Sequence, residues 1–161
     1  LPKVYGGFNT SLSWKGFDLS AIFAYSIGGY IYNRDITMIL HNGSLEGRDW
    51  STEILKRWTP DNRNTDVPAL STTTNNWNSA STRFLQNNSY MRLKNLTLSY
   101  NLPKQWISKL SLSSVQVYVQ GDNLFTIHRN QGLDPEQGIT GITYYRYPAM
   151  RTISGGINIS F

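Results

Sequence analysis

Apolar and polar residues alternate with a period of two through unusually long blocks of this chain. Between Phe17 and Ile27, the odd-numbered residues are all apolar, while most of their neighbours are polar or small. Such alternation predicts a β-strand with one apolar face. The pattern recurs in four further blocks, at residues 8–14, 95–100, 115–122 and 153–161. The sequence therefore predicts about five strands of roughly ten residues each.

The length and polar chemistry of these strands favour a membrane-spanning sheet. Strands of soluble proteins average about five to six residues, whereas a tilted transmembrane strand needs about nine to eleven. The polar faces carry Asn, Ser, Thr and Gln, and only 16% of the chain is charged, against about 25% in soluble domains. A soluble β-sandwich that binds carbohydrate is the alternative. The chain has no cysteine, which excludes a disulfide scaffold and a thiolate metal site.

The connections between the strands alternate between short and long. The first is the Lys15-Gly16 turn and the third runs from Asn101 to Ser111, whereas the second runs from Gly28 to Asn88 and the fourth from Thr126 to Arg151. Outer-membrane barrels have short periplasmic turns and long extracellular loops. The alternation therefore predicts neighbouring antiparallel strands with both long loops outside the cell.

This orientation predicts two belts of aromatic residues. Interfacial aromatic rings are typical of membrane barrels. We expect the periplasmic belt to contain Trp14, Phe17, Tyr100 and Phe161, and the outer belt to contain Tyr25, Tyr90 and Phe125.

The third strand conflicts with a simple alternation. Continuing its apolar face past Leu96 directs Lys94 and Arg92 toward lipid, and a basic residue costs about 2–4 kcal/mol at the bilayer midplane. These residues would have to lie at the outer rim. The alternative is a β-bulge that directs Met91 and Leu93 outward instead.

About five strands cannot close a membrane barrel, and an open edge in lipid leaves unsatisfied backbone groups. The sequence opens Leu1-Pro2-Lys3 rather than with a methionine and the pattern of a secretory signal, and it closes on Phe161 after a run of alternating apolar residues. We therefore expect residues 1–161 to be the C-terminal part of a larger barrel.

Five motifs follow one another along the chain: Arg57–Asn62 (RWTPDN), Ser89–Pro103 (SYMRLKNLTLSYNLP), Val117–Thr126 (VYVQGDNLFT), Gly132–Glu136 (GLDPE), and Tyr147-Pro148 with Arg151-Thr152 and the closing Gly155–Phe161. In this order they resemble the motifs of SusC/RagA-type TonB-dependent transporters. One departure is Asp122, where the family commonly has glutamine. The resemblance extends over nearly the whole chain.

The resemblance implies a barrel of about 22 strands filled by a plug, with this chain supplying the last five or so strands. It implies location in the outer membrane of a Gram-negative bacterium and import of oligosaccharides or peptides. The implied partners are a SusD-like surface lipoprotein acting as a lid, TonB bound by the N-terminal part, and the remaining strands and plug. A surface-binding or assembly platform is the alternative role.

Two groups of residues are candidates for a functional site. Gln116, Tyr118, Gln120 and Asp122 lie on the polar face of one predicted strand and are expected to face the lumen and the plug. The loops offer aromatic candidates for contact with substrate or partner. They are Trp58 at the end of a helix predicted at Asp49–Trp58 and capped by Asp49 or Ser51, Trp77 in an Asn/Thr-rich run, Tyr144 and Tyr145. The alternatives are packing of the predicted helix on the barrel rim or a partner for Trp58, a polar surface loop for Trp77, and loop packing or contact with a lid lipoprotein for the tyrosines.

Enzymatic, metal-binding and nucleic-acid-binding functions receive little support. His41 and His128 are isolated, and no nucleophile or nucleotide-binding motif is present. Asp134 and Glu136 flank Pro135 without the further oxygen ligands of a calcium loop, so we expect a structural turn. The basic residues are dispersed among acids, which argues against nucleic acid. We expect no enzymatic activity and no metal or cofactor.

Overall fold

The computed structural model describes residues 1–41, 45, 47–71, 73, 77–110, 112–130, 132, 134–136 and 140–161. The strands are β1 (Val4–Trp14), β2 (Phe17–Ile27), β3 (Tyr30–Asn33), β4 (Leu85–Asn87), β5 (Tyr90–Asn101), β6 (Ser114–His128), β7 (Ile142–Thr143) and β8 (Thr152–Ser160). Two short α-helices are α1 (Arg34–Ile39) and α2 (Lys104–Ile107), and 3-10 helices cover Thr52–Lys56, Thr82–Phe84 and Ser108–Leu110. No helix in these ranges is long and apolar enough to cross a membrane.

The chain divides into two compact units, and the first contains the five long strands. They form one sheet in the order β1-β2-β5-β6-β8, and every neighbouring pair is antiparallel. The predicted strands and their order are therefore confirmed. The first connection is the expected two-residue turn, in which both Lys15 (φ 47°) and Gly16 (φ 88°) have positive φ. This conformation matches the twist of the strands it joins.

The predicted apolar face is continuous across the sheet. At the end nearest the Lys15-Gly16 turn, one cross-strand row consists of Trp14, Phe17, Tyr100, Val117 and Ile157. The ring centroids of Phe17 and Tyr100 lie 4.5 Å apart. This face is left exposed, whereas in a β-sandwich it would pack against a second sheet.

The next row shows the exposure of this face directly. It contains Leu12, Leu19, Leu98 and Val119, whose exposed fractions are 66%, 39%, 42% and 48%. A contiguous apolar surface of this kind is typical of a surface that meets lipid or a protein partner.

A β-bulge shifts the pairing register of the sheet at one level. Between Ile22 and Phe23, β2 advances by one residue, while β5 advances by two, from Asn95 to Leu93. Over the same step β6 advances by three, from Asp122 to Phe125. Lys94 is the residue skipped in β5, so Leu93 returns to the apolar face beside Phe23. The alternative that contained a bulge is therefore correct for the third strand.

The register shows where the residues of the expected aromatic belts lie in the sheet, while the belts themselves stay a prediction. Trp14, Phe17 and Tyr100 share one row, and Tyr25 pairs with Met91 on the same face. Phe161 follows β8 and is 91% exposed. Tyr90, however, pairs with Ser26 and His128 on the polar face. Its placement in the outer belt was wrong, because the bulge at Lys94 reverses the faces above it.

The second unit consists of residues 30–87 and 137–146; we refer to it as the loop lobe. Its small sheet has the order β4-β3-β7, with β3 and β7 parallel. Fully buried Phe84 and Ile31 lie in its core, with Asn33 and Thr143. Asn33 caps α1, since its side chain accepts a hydrogen bond from the Ile36 backbone N–H. Neither α1 nor this sheet was predicted.

The helix predicted at Asp49–Trp58 is present as a shorter 3-10 helix. It extends over Thr52–Lys56, and the side chain of Ser51 caps it by accepting a hydrogen bond from the Glu53 N–H. Ser51 was one of the two predicted caps. The Trp58 N–H donates to the Val67 carbonyl at 2.8 Å, so the chain is already turned back at the predicted helix end.

Candidate functional site

The polar face of the long sheet carries a network of amide and hydroxyl groups. The Asn95 amide donates to the Asp122 carboxylate at 2.7 Å, and the Gln120 amide donates to the same carboxylate at 3.2 Å. Gln116 donates to the Ser99 hydroxyl at 3.3 Å. Short polar side chains at alternate positions bring these groups together, because cross-strand neighbours on one face lie close to each other.

The register places all four predicted lumen residues on this face. Gln116, Tyr118, Gln120 and Asp122 pair across β6 and β8 with Asn158, Gly156, Ser154 and Thr152. The Asp122 carboxylate accepts hydrogen bonds from the neutral amides of Asn95 and Gln120. The contact of these residues with a plug remains a prediction.

Above the bulge, the same face carries four charged residues, which we call the rim ion cluster: Arg92, Lys94, Asp134 and Glu136. The Arg92 guanidinium lies 2.6 Å from an Asp134 oxygen and 2.8 Å from a Glu136 oxygen. The Lys94 ammonium lies 2.6 Å from the same Glu136 oxygen. Arg92 is 3% exposed, and its Nε also donates to the Thr126 hydroxyl at 2.8 Å. Two cations and two anions make the cluster neutral.

Asp134 is held in its ionised form by directed donors. Its burial alone would raise the pKa of the carboxyl, but the N–H groups of Ala149 and Glu136 and the Arg92 guanidinium hold that pKa below its ordinary value. The Asn88 amide also donates to the Pro135 carbonyl at 3.0 Å. Asp134, Pro135 and Glu136 are therefore held against the polar face of the sheet by several ion pairs and hydrogen bonds.

The outward placement expected for Arg92 and Lys94 from simple alternation was wrong. Arg92 pairs with Ala24 and Thr126, on the face opposite Met91 and Leu93. A buried guanidinium needs charged partners, and the acids of the GLDPE turn supply them. The two acids lie in the loop after β6, 42 and 44 residues beyond Arg92 in the chain, so local sequence patterns did not indicate this pairing.

In the loop lobe, Tyr145 is fixed by contacts with neighbouring chain segments. Its N–H donates to the Asp35 carboxylate at 3.0 Å, and its hydroxyl lies 3.4 Å from an Arg48 nitrogen and 3.6 Å from the Met38 sulfur. Its ring centroid lies 4.3 Å from that of Tyr144. Tyr145 has a φ of 48°, a left-handed conformation that bulky residues rarely adopt. The surrounding contacts compensate for this local cost.

Tyr144, the other predicted tyrosine, borders a cavity of about 450 Å³. The Arg34 guanidinium lies over the Tyr144 ring at 4.6 Å from its centroid, a cation–π arrangement. The cavity is lined by Tyr32, Arg34, Thr37, Met38, Leu45, Asn78, Ala80, Ile142 and Tyr144; we call it the tyrosine cavity. Arg34 was not anticipated, because nothing in the sequence indicated which segment would face Tyr144.

The two tryptophan candidates occupy different environments. Trp58 is 44% exposed, as a contact residue requires. Trp77 is half-buried and lies with Leu40, Ile54 and Val67 around a small apolar cavity. Contact of Trp77 with a sugar ring, for which a polar surface loop is the alternative, stays a prediction. Parts of its Asn/Thr-rich run, at residues 72 and 74–76, lie outside the described residues.

Within the described ranges no cluster of three or more His, Asp and Glu residues could hold a metal ion. His41 is fully buried, and its Nδ1 accepts a hydrogen bond from the Leu45 N–H at 3.2 Å. Its ring packs edge-on against Trp50 with centroids 5.3 Å apart. The contacts of His41 with Leu45 and Trp50 are typical of a residue that stabilises the fold.

Comparison with known proteins agrees with this geometry. No family model matches the chain. TonB-dependent receptor P3 of Formosa agariphila is 35% identical over 99% of this chain and 16% of its own length. The RagAB peptide importer in its closed-closed state superimposes with a TM-score of 0.88 at 35% identity, covering 100% of this chain and 17% of that one. The chain is homologous to a segment of the SusC/RagA-type TonB-dependent receptors.

A further relative is less similar in sequence. TonB-dependent receptor SusC of Bacteroides thetaiotaomicron is 27% identical over 96% of this chain and 15% of its own length. The chain spans about a sixth of the length of the SusC/RagA-type relatives it matches. These relatives are named as receptors and importers rather than as enzymes.

Proposed function

We propose that this chain supplies wall strands and outer loops of a SusC/RagA-type nutrient importer in the outer membrane of a Gram-negative bacterium. The observation that carries the proposal is the exposed apolar face of the five-stranded sheet, opposite a face of uncharged polar groups and a neutral ion cluster. A barrel wall between lipid and a polar interior requires this division. In this proposal residues 1–161 are the C-terminal part of the barrel.

The two faces then have separate partners. Lipid contacts the apolar face, and Trp14, Phe17, Tyr25, Tyr100 and Phe161 lie near the membrane interfaces. Gln116, Tyr118, Gln120 and Asp122 contact the plug, whose backbone and side chains offer the hydrogen bonds that amide groups require. Further strands, outside this chain, pair with the free edges of β1 and β8.

The importer acts together with a SusD-like surface lipoprotein, which covers its mouth, and with TonB, which binds a region outside this chain. Its cargo is an oligosaccharide or a peptide, and no chemical step is performed on it. The homology to SusC and to the RagAB peptide importer supports this assignment. Trp58, Tyr144 and Tyr145 are the loop residues offered to cargo or lipoprotein.

Uptake by cells tests the proposal. Cells that lack the full-length gene should lose energy-dependent uptake of a fluorescent oligopeptide or oligosaccharide of the organism's diet, and the intact gene should restore it. Uptake that survives both gene deletion and collapse of the proton gradient would contradict import. If a lipoprotein still co-purified with the barrel in that case, the platform role would replace it.

A further inference from the structure

We propose that the tyrosine cavity is a binding site for a carboxylate group, with Arg34 as the cation that recognises it. This inference rests on the proposed function, because it names the chemical class of cargo that the outer loops select. Its volume of about 450 Å³ falls within the range of about 300–1,000 Å³ that is usual for small-ligand sites.

The charge of the cavity favours an anion. Among the described residues that line it, Arg34 alone is charged. Among the described residues, Arg34 takes part in no salt bridge. The nearest acid in sequence, Asp35, instead accepts a hydrogen bond from the Tyr145 backbone N–H at 3.0 Å. The guanidinium therefore retains a positive charge that no described carboxylate neutralises.

The position of the guanidinium suits planar recognition of a carboxylate. The central carbon of the guanidinium lies over the Tyr144 ring, 4.6 Å from the centroid. The N–H groups of a guanidinium form a planar fork that matches the two oxygens of a carboxylate. The compact ammonium of lysine supplies charge without this geometry.

The site is held in place before any ligand binds. Tyr144 is packed against Tyr145, which is fixed through Asp35, Arg48 and Met38. On the helix side, the Thr37 hydroxyl donates to the Arg34 backbone carbonyl at 2.7 Å. Because the Arg34 backbone and the Tyr144 ring are already held by these contacts, less conformational entropy is lost on binding.

The remaining walls define what accompanies the carboxylate. Met38, Leu45, Ala80 and Ile142 are apolar, while the rings of Tyr32 and Tyr144 combine an apolar face with a hydroxyl. This lining accepts a short hydrocarbon or ring next to the anionic group. A peptide terminus or acidic side chain provides that combination, and so does a uronic acid sugar.

Binding to the purified full-length transporter, in detergent, tests the site with four probes. They are a short alanine-rich peptide with a free C-terminal carboxylate, its C-terminal amide, a diglucuronic acid and the corresponding neutral diglucoside. We expect the carboxylate form of at least one pair to bind about ten- to a hundredfold more tightly than its neutral form, as expected for charge-assisted hydrogen bonds. The pair that shows this difference identifies the source of the carboxylate.

Variants then locate the effect. Arg34→Gln should remove the preference for the carboxylate form, and Arg34→Lys should retain only part of it. Arg63→Gln is the matched control, because Arg63 lies in the same lobe, outside the tyrosine cavity, with its Nε directed to the Pro60 carbonyl at 2.9 Å. Equal melting temperatures of the variants establish that folding is intact. If Arg34→Gln fails to fold, the preference of Arg34→Lys for the carboxylate probe tests the proposal instead.

Equal binding of acid and neutral probes, or an undiminished preference in the folded Arg34 variants, would overturn the proposed site. Failure of all four probes to bind would also overturn it. Binding is measured without transport, so a transporter that binds carboxylates but imports nothing would contradict the proposed function and leave the site standing.

Discussion

Different interactions stabilise the long sheet and the loop lobe. In the sheet, neighbouring strands are joined by backbone pairing along their whole length, and its apolar face is exposed. The loop lobe has strands of only two to four residues and depends on caps, stacked rings and buried polar side chains. The sheet therefore tolerates changes that preserve the chemistry of a face, whereas the lobe depends on individual contacts.

The largest effect on the free energy of unfolding is expected from replacing Arg92, which joins both acids of the rim ion cluster. Arg92→Met should lower the free energy of unfolding by about 3–5 kcal/mol, because it leaves the buried Asp134 carboxylate without its cation. Denaturant unfolding of the full-length protein in vesicles measures this. The double variant Arg92→Met/Asp134→Asn should recover part of the loss. A loss below about 1 kcal/mol in the single variant would mean that the rim ion cluster is solvated.

A charge on the apolar face is expected to have the next largest effect. Leu96 pairs with Ala21 and Gly121, in the middle of this face. Leu96→Arg should cost about 2–4 kcal/mol if lipid covers the face. Thr97→Arg, on the opposite face, is the matched control and should cost less. Equal losses in the same unfolding assay would argue against a division between lipid and a polar interior.

The dependence of the free energy of unfolding on pH tests the contribution of Asp134 separately. Because its pKa is lowered in the folded state, its contribution is complete above the unfolded pKa of about 3.9 and is lost as the pH falls through the folded pKa. Asp134→Asn should remove this acid-dependent component. Unfolding curves of both proteins between about pH 2 and pH 6 test this, and parallel curves would contradict it.

The smallest effect is expected in the lobe. Asn33→Ala removes the cap of α1 and should cost about 1 kcal/mol locally. Faster hydrogen exchange is expected at the Ile36 amide, which donates to the Asn33 side chain at 3.0 Å, while exchange in β2 and β5 stays unchanged. Asn33→Ser, which retains a capping oxygen, is the control. Faster exchange throughout the long sheet would show that the two units unfold together.

The long sheet could be predicted because its determinants are local. Alternation gave the strands, and Lys15-Gly16 gave the first turn. The faces above Lys94 could not be assigned by alternation alone, since a β-bulge reverses the parity of every residue beyond it. The pairing of Arg92 with Asp134 spans 42 residues, a separation at which sequence patterns carry little information.

In the loop lobe, too, local features could be predicted from the sequence and long-range contacts could not. Ser51 was a predictable cap because it precedes a helical stretch, but the helix itself stops early and turns to meet Val67. The tyrosine pair stood out as a cluster of aromatic residues, whereas its partner Arg34 is separated from it by 110 residues in the chain. Contacts of this kind arise only when the long connections fold, so their residues have no common local signature.

The edges of the long sheet have a consequence for handling this segment. β1 and β8 are its end strands, each paired along one side, and an unpaired strand edge accepts almost any other strand through backbone hydrogen bonds. Next to an apolar face, such edges favour aggregation through edge-to-edge association of copies. Expressed by itself, the segment should therefore assemble into insoluble β-rich material, and insertion chaperones or detergent would have to protect its edges until the correct strands arrive.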